Sequence, residues 1–391
     1  MRNVFVVGVG QTCFGKFLER NVRSLSEEAL RLAIDDSGLD CGRIDIVYFA
    51  NALSGLITGQ ETIRGQVALR HSPLMGKPIV NVDNACSSGS SAFQLAWLSV
   101  ASGQADAALA LGAEKLTHTD KAITFNAYAS GVDVEEREEM HREKPMDRSL
   151  FMDVYAERTR KYMARSGATA EDFAKVTVKS RHAASLNPKA QFRQETTVEE
   201  VLGSRMVSAP LTLPMCSPIG DGAAAVILAT EDIARSLSAA PVRVSASSTV
   251  SANADGVEPV AAFRAAHKAY ALAGLRPRDV HVAEVHDASA SAEIMLYEHL
   301  GFADRNRGFE LVRHGVTAIG GSLPVNSGGG LLSRGHPVGA TGVAQLVELT
   351  TQLRGQAGAR QRPNANVALA ECSGGQIGAD SAVATVTILT T

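Results

Sequence analysis

Residues 84–104 read NACSSGSSAFQLAWLSVASGQ and place one cysteine, Cys86, in front of a small-residue turn and a long apolar helix pattern. The nearest other cysteine is Cys41. A cysteine used for packing would normally lie inside a strand or a helix, whereas Cys86 stands where a helix is predicted to begin. Unpaired backbone N–H groups at a helix N-terminus favour a thiolate. We therefore predict a lowered pKa and a nucleophilic role for Cys86; the alternative is a cysteine that only packs.

The pattern around Cys86 recurs in the second part of the chain, around His336. Each of the two residues is followed by a glycine three positions later, an apolar helix pattern ending near a Gly-Gln pair, and an apolar strand pattern. Residues 28–50 and 262–285 form another matching pair, each an alanine-rich helix pattern ending in Gly-Leu before a strand. Two matches in the same order predict an internal duplication, in which Cys86 and His336 occupy equivalent positions.

Short strands alternate with longer helices along the chain. The stretch VFVVGV predicts a strand, residues 24–39 predict a helix whose Ser24 and Glu27 have capping-box spacing, and IDIVYFA predicts another strand. This alternation favours an α/β fold with parallel strands. We place the two halves at residues 1–240 and 241–391.

Residues from about 115 to 205 interrupt the first half. A charge-dense stretch, residues 133–147, is followed by two helix patterns with no strand pattern between them. This sequence pattern predicts an inserted helical loop domain. Two interpretations stay open: a lid or substrate-binding domain, or a solvated helical excursion on the surface.

Composition and charge exclude several classes of function. The chain has 391 residues and a net charge of −3, which gives no electrostatic reason to bind nucleic acid or an anionic membrane. Its five cysteines, an odd number without paired spacing, argue against a disulfide framework and against a zinc site. No apolar run approaches the roughly 20 residues of a membrane-spanning helix. We expect a cytoplasmic protein without a bound metal.

Three further stretches carry reactive side chains among small residues. His336 stands in Gly-His-Pro ahead of a helix pattern, where an imidazole is placed to take the proton of Cys86. Cys372 follows a strand pattern and precedes Ser-Gly-Gly. His286 lies in EVHDAS, either as a hydrogen-bond donor in the site or as a structural histidine held by Asp287 or by backbone. Two thiols with a histidine between them suit covalent acyl transfer with proton transfer at carbon.

Together these motifs resemble the thiolase family. ACSSG is similar to its nucleophile motif, NSGGGLLSRGHPVGATG to its Gly-His-Pro motif and ECSGG to its Cys-x-Gly motif, and CSPIGDGAAA and SLNPKAQF are further similar stretches. The resemblance covers essentially the whole chain. It implies duplicated α/β/α/β/α layers with an inserted loop domain.

The resemblance also implies a role for each candidate side chain. Cys86 is the acylated nucleophile, His336 the base that activates it, and Cys372 the acid and base at the α-carbon of the acyl unit. The backbone N–H groups of Cys86 and Gly374 form the oxyanion hole, while His336 helps to bind the other thioester oxygen; His286 is the fourth catalytic candidate. The implied reaction makes or cleaves a carbon–carbon bond between acyl-CoA units. Coenzyme A thioesters are then the substrates, and no cofactor is covalently bound.

Residues 286–289 depart from the common family pattern. They read His-Asp-Ala-Ser, where many thiolases carry Asn-Glu-Ala-His. They are more similar to the sterol-carrier-protein-type and archaeal-type branch, whose pattern is His-Asp-Cys-Phe. Ala288 and Ser289 replace the last two residues of that pattern, which leaves the acyl range open because this loop borders the acyl pocket.

Three alternative functions remain at the level of sequence. They are an acyltransferase acting on a non-CoA or aromatic acceptor, a steroid side-chain-type retro-aldolase, and a non-catalytic thiolase-like subunit. The joint presence of Cys86, His336 and Cys372 argues against the last two. The family implies a homodimer or homotetramer. Some relatives work with a small zinc/OB-fold partner, and nothing in this chain proves or excludes one.

Overall fold

The computed structural model describes residues 1–143, 149–237, 240–254 and 258–391, and within them it has eleven strands and fourteen α-helices. The strands are β1 Val4–Gln11, β2 Ile46–Ala50, β3 Ile79–Val82, β4 Ala107–Glu114, β5 Met206–Ser208, β6 Leu211–Thr212, β7 Gly222–Thr230, β8 Val242–Ser251, β9 Val282–Glu284, β10 Val367–Gly374 and β11 Val383–Thr390. The helices are α1 Val22–Ser37, α2 Ser54–Thr58, α3 Arg64–Ala68, α4 Ser88–Ser102, α5 Lys121–Ala129, α6 Val134–Glu143, α7 Leu150–Ser166, α8 Ala170–Ser185, α9 Val198–Leu202, α10 Glu231–Ser236, α11 Ala261–Ala273, α12 Ala290–His299, α13 Gly308–Arg313 and α14 Val338–Leu353.

Nine strands form one mixed sheet in the order β3-β2-β4-β7-β1-β8-β11-β10-β9. Read outward from the central β1–β8 pair, the order is β1-β7-β4-β2 on one side and β8-β11-β10-β9 on the other. Beyond β9, Val325 forms a parallel bridge with Ala283, at the place that β3 takes beside β2 in the first half. The strand order therefore repeats across the centre of the sheet, and the predicted duplicated α/β class is confirmed.

Five layers follow from which side chains are buried together. One apolar cluster combines α4 and α14 with one face of strands from both halves of the sheet. A second cluster packs α1 on the outer face of the first half, and a third packs α11 and α12 on the outer face of the second half. Because both faces of each half are covered, β2, β4 and β7 are buried along their whole length.

The two central helices approach each other and the sheet through glycines near their N-termini. A Cβ added at Gly89 would lie 2.8 Å from the carbonyl oxygen of Gly339, and one added at Gly342 would lie 2.4 Å from the backbone nitrogen of Ser90. In β4, a Cβ at Gly112 would lie 2.2 Å from the same Gly339 oxygen. These contacts bring the residues just ahead of α4 and α14 together, because no side chain separates the two backbones.

The inserted segment packs on the second half of the molecule. Buried residues of α7 and α8, among them Tyr162 and Phe173, belong to the same apolar cluster as α11 and α12. Arg313 of α13 donates two hydrogen bonds to Asp172 of α8, at 2.7 and 2.8 Å. A solvated excursion does not describe α7 and α8. Of the charge-dense stretch 133–147, residues 144–147 lie outside the described residues.

The start of α1 differs from the predicted capping box. The helix begins at Val22, and the side chain of Asn21 accepts a hydrogen bond from the backbone N–H of Ser24. Ser24 therefore lies inside the first turn instead of capping it, because Asn21 supplies the acceptor three residues earlier.

None of the helices in the described part of the chain combines the length and the apolar character that a membrane span requires.

Substitution of Gly112 by alanine is expected to destabilise the protein, because its Cβ would meet the Gly339 carbonyl at 2.2 Å. Overpacking of this kind typically costs about 1–3 kcal/mol. Gly42→Ala is the matched control, since its Cβ has no neighbour closer than 3.6 Å. Urea unfolding of both variants checks this. Equal midpoints for Gly112→Ala and Gly42→Ala would show that the helix N-terminus and β4 are not in tight contact.

Candidate active site

Cys86 lies in a short turn between β3 and α4. The preceding residue, Ala85, has φ of 49°, and Ser87 and Ser88 are buried. The backbone N–H of Asn84 donates to the Ser88 hydroxyl at 2.8 Å, and the Asn84 side chain donates to Ser91 at 2.9 Å. The small hydroxyl residues of the motif thus hold the turn, and they place Cys86 two residues ahead of α4.

The pKa of Cys86 contradicts the expectation from its helix position. Burial raises the pKa of this thiol to about 12, and the neighbouring Glu114 carboxylate adds to the increase. The helix N-terminus does not compensate for the loss of solvent. The prediction of a lowered pKa was therefore wrong, and the thiol needs a base to take its proton.

His336 stands beside this thiol with its basic nitrogen directed by the helix that follows. One ligand-type atom from each of Cys86, His286 and His336 lies within 4.8 Å of the other two. The Thr341 hydroxyl donates to the Pro337 carbonyl at 3.0 Å, so the 2.7 Å contact between His336 Nδ1 and Thr341 Oγ1 requires the proton on Nδ1. This tautomer leaves the lone pair on Nε2. Burial lowers the pKa of His336 well below its usual value, so the ring is neutral.

His286 faces His336 in an edge-to-face contact, with ring centroids 5.3 Å apart. Burial lowers its pKa to about 4, and its Nε2 is buried without a hydrogen-bond partner among the described residues. The proposed support from Asp287 is wrong, because that carboxylate accepts from the backbone N–H groups of Leu331 and Leu332. The unpartnered nitrogen points to a ligand atom, since a buried polar atom without a partner is unfavourable.

Cys372 approaches the Cys86 turn from the second half of the sheet. It lies two residues before the end of β10 and is 1% exposed. Its thiol donates to the carbonyl oxygen of Cys86 at 3.1 Å. Burial raises the pKa of Cys372 well above its usual value. Two residues later, a Cβ added at Gly374 would lie 3.0 Å from the backbone nitrogen of Cys86. Only glycine allows the strand to come this close to the backbone of Cys86.

Glu114 is a buried neighbour of the candidate site that the sequence analysis missed. Its carboxylate is buried at the end of β4 and accepts from the backbone N–H groups of Ser54, at 2.7 Å, and of Gly339, at 2.8 Å. Burial raises its pKa to about 7. It therefore joins the first half to the start of α14, directly beside the His336 loop. Its place at the end of a strand pattern was the available sequence signal.

Glu371 was also missed, although it precedes Cys372. Its carboxylate accepts from the backbone N–H of His286 at 3.1 Å and from the Ser373 hydroxyl at 2.5 Å. It thereby connects the strand that carries Cys372 to the loop that carries His286. Burial raises its pKa to about 7.

A cavity of about 600 Å³ opens in front of these side chains and includes Cys86, His286, His336 and Gly374 in its lining. Much of its wall comes from the inserted segment, including aromatic side chains. Among the described residues, four cationic side chains and no acidic one line the cavity; the four are Lys16, Lys121, Arg181 and Arg205. The cavity is therefore suited to an anionic molecule that reaches toward the thiol.

The side chains of Cys86, His286 and His336 are also the only group of possible metal ligands found among the described residues. A thiol and two imidazoles are ligands of the kind that Zn²⁺ prefers. The same arrangement of imidazole and thiol also allows proton transfer between the two groups, and the expectation of no bound metal stays a prediction.

Two protein-family models match the chain, and together they span almost its whole length. The thiolase N-terminal domain matches residues 4–232, and the thiolase C-terminal domain-like model matches residues 243–390. With the duplicated fold, these matches define the class as thiolase-fold acyltransferases. The chain belongs to the thiolase family.

Curated relatives share about a third of their residues with this chain. It is 39% identical to the acetyl-CoA acetyltransferase of Methanothermobacter thermautotrophicus, over 96% of this chain and 97% of that protein. It is 36% identical to the benzoylsuccinyl-CoA thiolase subunit BbsB of Thauera aromatica, over 96% and 95% of the two chains. Human sterol carrier protein 2 is 35% identical over 94% of this chain and 69% of that protein. The predicted likeness to the sterol-carrier-protein and archaeal branch is confirmed, and the protein is an acyltransferase enzyme.

Solved structures agree with this fold. The Ltp2-ChsH2(DUF35) aldolase superposes with a TM-score of 0.82 at 24% identity and covers 100% of this chain and 98% of that chain. Human mitochondrial 3-ketoacyl-CoA thiolase in complex with CoA superposes with a TM-score of 0.74 at 19% identity, over 100% and 98% of the two chains. At these identities the structures support the fold alone.

Substitution of Thr341 by valine should slow alkylation of Cys86 by iodoacetamide. The variant removes the acceptor that fixes the His336 tautomer, and a net hydrogen bond of about 1 kcal/mol corresponds to about fivefold in rate. Peptide mass spectrometry measures the labelling, with the exposed Cys13 as internal reference. Thr351→Val is the control, because Thr351 lies on the same helix and also donates to the carbonyl four residues earlier. Equal slowing in both variants would contradict the assigned role of Thr341.

Proposed function

We propose that this protein is a thiolase that makes or cleaves a carbon–carbon bond between acyl-CoA units through an acyl-enzyme on Cys86. The observation that carries the proposal is that Cys86 and His336, from the two halves of the molecule, line one cavity, and that the thiol of Cys372 donates to the carbonyl oxygen of Cys86. The names of the relatives support the choice of reaction, since two of them are an acetyl-CoA acetyltransferase and a CoA thiolase subunit.

The first step is proton transfer from Cys86 to His336. Both groups are neutral before reaction, because burial raises the pKa of the thiol and lowers that of the imidazole. Nε2 of His336 accepts the proton while the sulfur attacks the carbonyl carbon of the substrate. The Nδ1–H bond to Thr341 keeps the ring oriented as its charge appears.

Negative charge on the attacked oxygen needs donors, and the turn supplies them. The backbone N–H groups of Cys86 and Gly374 form the proposed oxyanion hole, which the close approach of Gly374 to Cys86 supports. The second thioester oxygen is bound by His286 and, once Nε2 of His336 carries the proton of Cys86, by that Nε2–H as well. The buried, unpartnered Nε2 of His286 supports this assignment.

Cys372 is the proposed acid and base at carbon. When a 3-oxoacyl-CoA is cleaved, the bond between its α- and β-carbons breaks and the acyl group stays on the sulfur of Cys86. The electron pair remains on the α-carbon, which takes the thiol proton of Cys372. Cys372 recovers a proton from the incoming CoA thiol, which attacks the acyl-enzyme; His336 returns its proton to Cys86 as the acyl-CoA leaves. Condensation is the reverse sequence.

Coenzyme A fits the cavity in charge as well as in place. Its phosphates need cations, and in the part of the chain that the structure describes four basic residues and no acidic one line the cavity. The Arg181 guanidinium stacks on Phe192 at 4.3 Å from the ring centroid, with its Nε buried and unpartnered. We place the pantetheine arm of CoA in this cavity.

The remaining organisation is proposed from the family. It comprises halves at residues 1–240 and 241–391, an inserted domain at about 115–205, a homodimer or homotetramer, and a cytoplasmic location. A small partner of the zinc/OB-fold kind is also proposed. It is in keeping with the similar solved structure, the Ltp2-ChsH2(DUF35) aldolase, whose name gives two proteins. The retention of both thiols favours the thiolase reaction over a retro-aldolase.

Incubation with acetyl-CoA should add one acetyl group to the intact protein, as read by mass spectrometry. Cys86→Ala should remove this adduct. Cys372→Ala should still form it but should fail at condensation and thiolysis, since it lacks the acid–base group, a loss of about 10²- to 10⁴-fold. An acetyl group that persists in Cys86→Ala, or unchanged turnover in Cys372→Ala, would overturn the corresponding role.

The rate of Cys86 acetylation should be nearly flat between pH 5.5 and 8.5, to within about threefold. The pKa of Cys86 is raised to about 12, that of His286 is lowered to about 4, and that of His336 is lowered, so none of these three groups changes charge in this window. Glu114 and Glu371, whose pKa values are raised to about 7, do change charge in it, but both carboxyls are bound to backbone N–H groups. His336→Ala has to use free thiolate, whose fraction rises about tenfold per pH unit below the thiol pKa. Its slower rate should therefore increase with pH. A tenfold rise per pH unit in the unmodified protein would contradict proton transfer to His336.

A further inference from the structure

The side chains of Cys86, His286 and His336 offer the donor set of a zinc site. One ligand-type atom from each lies within 4.8 Å of the other two. A sulfur and two ring nitrogens are donors that Zn²⁺ prefers, whereas Mg²⁺ and Ca²⁺ prefer oxygen. In a tetrahedral site with the usual bond lengths such atoms are about 3.3–3.6 Å apart, so the three have to close by at most about 1.5 Å.

His336 is held in the way that is usual for a metal-binding histidine. Its Nδ1–H donates to the Thr341 hydroxyl at 2.7 Å, and this hydroxyl donates to the Pro337 carbonyl at 3.0 Å. A histidine that binds a metal typically donates its other ring N–H to a fixed partner, which sets the tautomer and the ring orientation. The lone pair of Nε2 is therefore available beside the thiol.

His286 supplies the third donor, and its surroundings are independent evidence for a ligand. Its Nε2 is buried and has no hydrogen-bond partner among the described residues, and the residue is only 4% exposed. The centroids of the His286 and His336 rings are 5.3 Å apart. Two imidazoles that bind one tetrahedral Zn²⁺ have ring centroids about 5 Å apart, given the usual Zn–N bond length. The two rings already have the spacing of a metal-binding pair.

The charges around the cluster select for the type of ion. The Glu114 carboxylate helps to raise the pKa of the Cys86 thiol, and the same negative charge favours a cation bound to the thiolate. The four cationic side chains of the cavity oppose any divalent cation, so the affinity has to come from the donors themselves. Sulfur and imidazole supply it for Zn²⁺ and not for Mg²⁺.

We infer that Zn²⁺ binds reversibly to the sulfur of Cys86 and to one ring nitrogen each of His286 and His336, and that the bound ion inhibits the enzyme. The thiol releases its proton to solvent, and the thiolate and the two neutral imidazoles each donate an electron pair to the ion. Nucleophile and base are then both occupied, so the metal-free protein is the active form. The inhibition rests on the proposed function, whereas the binding does not.

Zinc binding to the protein without substrate tests the first part of the inference. Competition with a chromophoric chelator should show one Zn²⁺ per chain. Cys86→Ala and His286→Asn each remove one ligand and should weaken binding by at least about 100-fold, since loss of an outer-shell partner alone costs about 10- to 100-fold. Co²⁺ used in place of Zn²⁺ should give a thiolate-to-cobalt charge-transfer absorption that Cys86→Ala abolishes. Melting temperatures establish that both variants fold.

Cys216→Ala is the matched control, because Cys216 lines the same cavity but lies outside the ligand cluster. It should keep the full affinity for Zn²⁺, and Mg²⁺ should not compete in any of the proteins. Absence of saturable zinc binding, or equal affinity in the unmodified protein, Cys86→Ala and His286→Asn, would overturn the inference.

Acetylation of Cys86 by acetyl-CoA tests the inhibition. Zn²⁺ should stop it in proportion to the measured occupancy, and a chelator should restore it. Asparagine at position 286 keeps a hydrogen-bond donor, so the residual acetylation of His286→Asn should persist at a Zn²⁺ concentration that stops the unmodified protein. Acetylation that continues in zinc-loaded protein would overturn the inference. Failure of the metal-free protein to accept an acetyl group would instead overturn the proposed function and leave the binding result intact.

Discussion

The active site depends on the glycine-lined contact between the N-termini of α4 and α14. Gly89, Gly339 and Gly342 allow the two helix backbones to meet without intervening side chains, and Gly112 lets β4 press against the same place. Each helix belongs to a different half of the duplicated fold. The contact therefore converts an internal repeat into a site, since one copy contributes the thiol just ahead of its helix and the other copy contributes the imidazole.

Burial decides how the chemistry is carried out. A charged side chain in this centre would lose solvent, so the thiols of Cys86 and Cys372 stay protonated and the rings of His286 and His336 stay neutral. In the proposed mechanism, proton transfer therefore accompanies bond formation instead of preceding it. The hydrogen bond from His336 Nδ1 to Thr341 matters because both reacting groups are neutral. It keeps the lone pair of Nε2 directed at the thiol without help from an opposite charge.

The sequence predicted those parts of the site that local pattern controls. A residue before a glycine and an apolar helix pattern identified Cys86 and His336, and the repeat of that pattern predicted their equivalence. Contacts between distant segments were not predictable. Burial overrides the local helix effect on the pKa of the Cys86 thiol. Asp287 accepts from a backbone turn about 45 residues away and does not hold His286. Glu114 accepts from the backbone of α14. These outcomes depend on tertiary packing, which no local pattern contains.

The central claim is that the helix contact sets the distance between thiol and imidazole, and single-turnover acetylation of Gly342→Ala tests it most directly. The added Cβ would lie 2.4 Å from the backbone of Ser90 and must push α4 and α14 apart. A displacement of about 1 Å at a reacting pair can cost about 10²-fold in rate. We predict that acetylation of Cys86 slows by about this factor while the folded variant still binds CoA, as measured by calorimetry. A folded variant that binds CoA and acetylates at the unmodified rate would contradict the account.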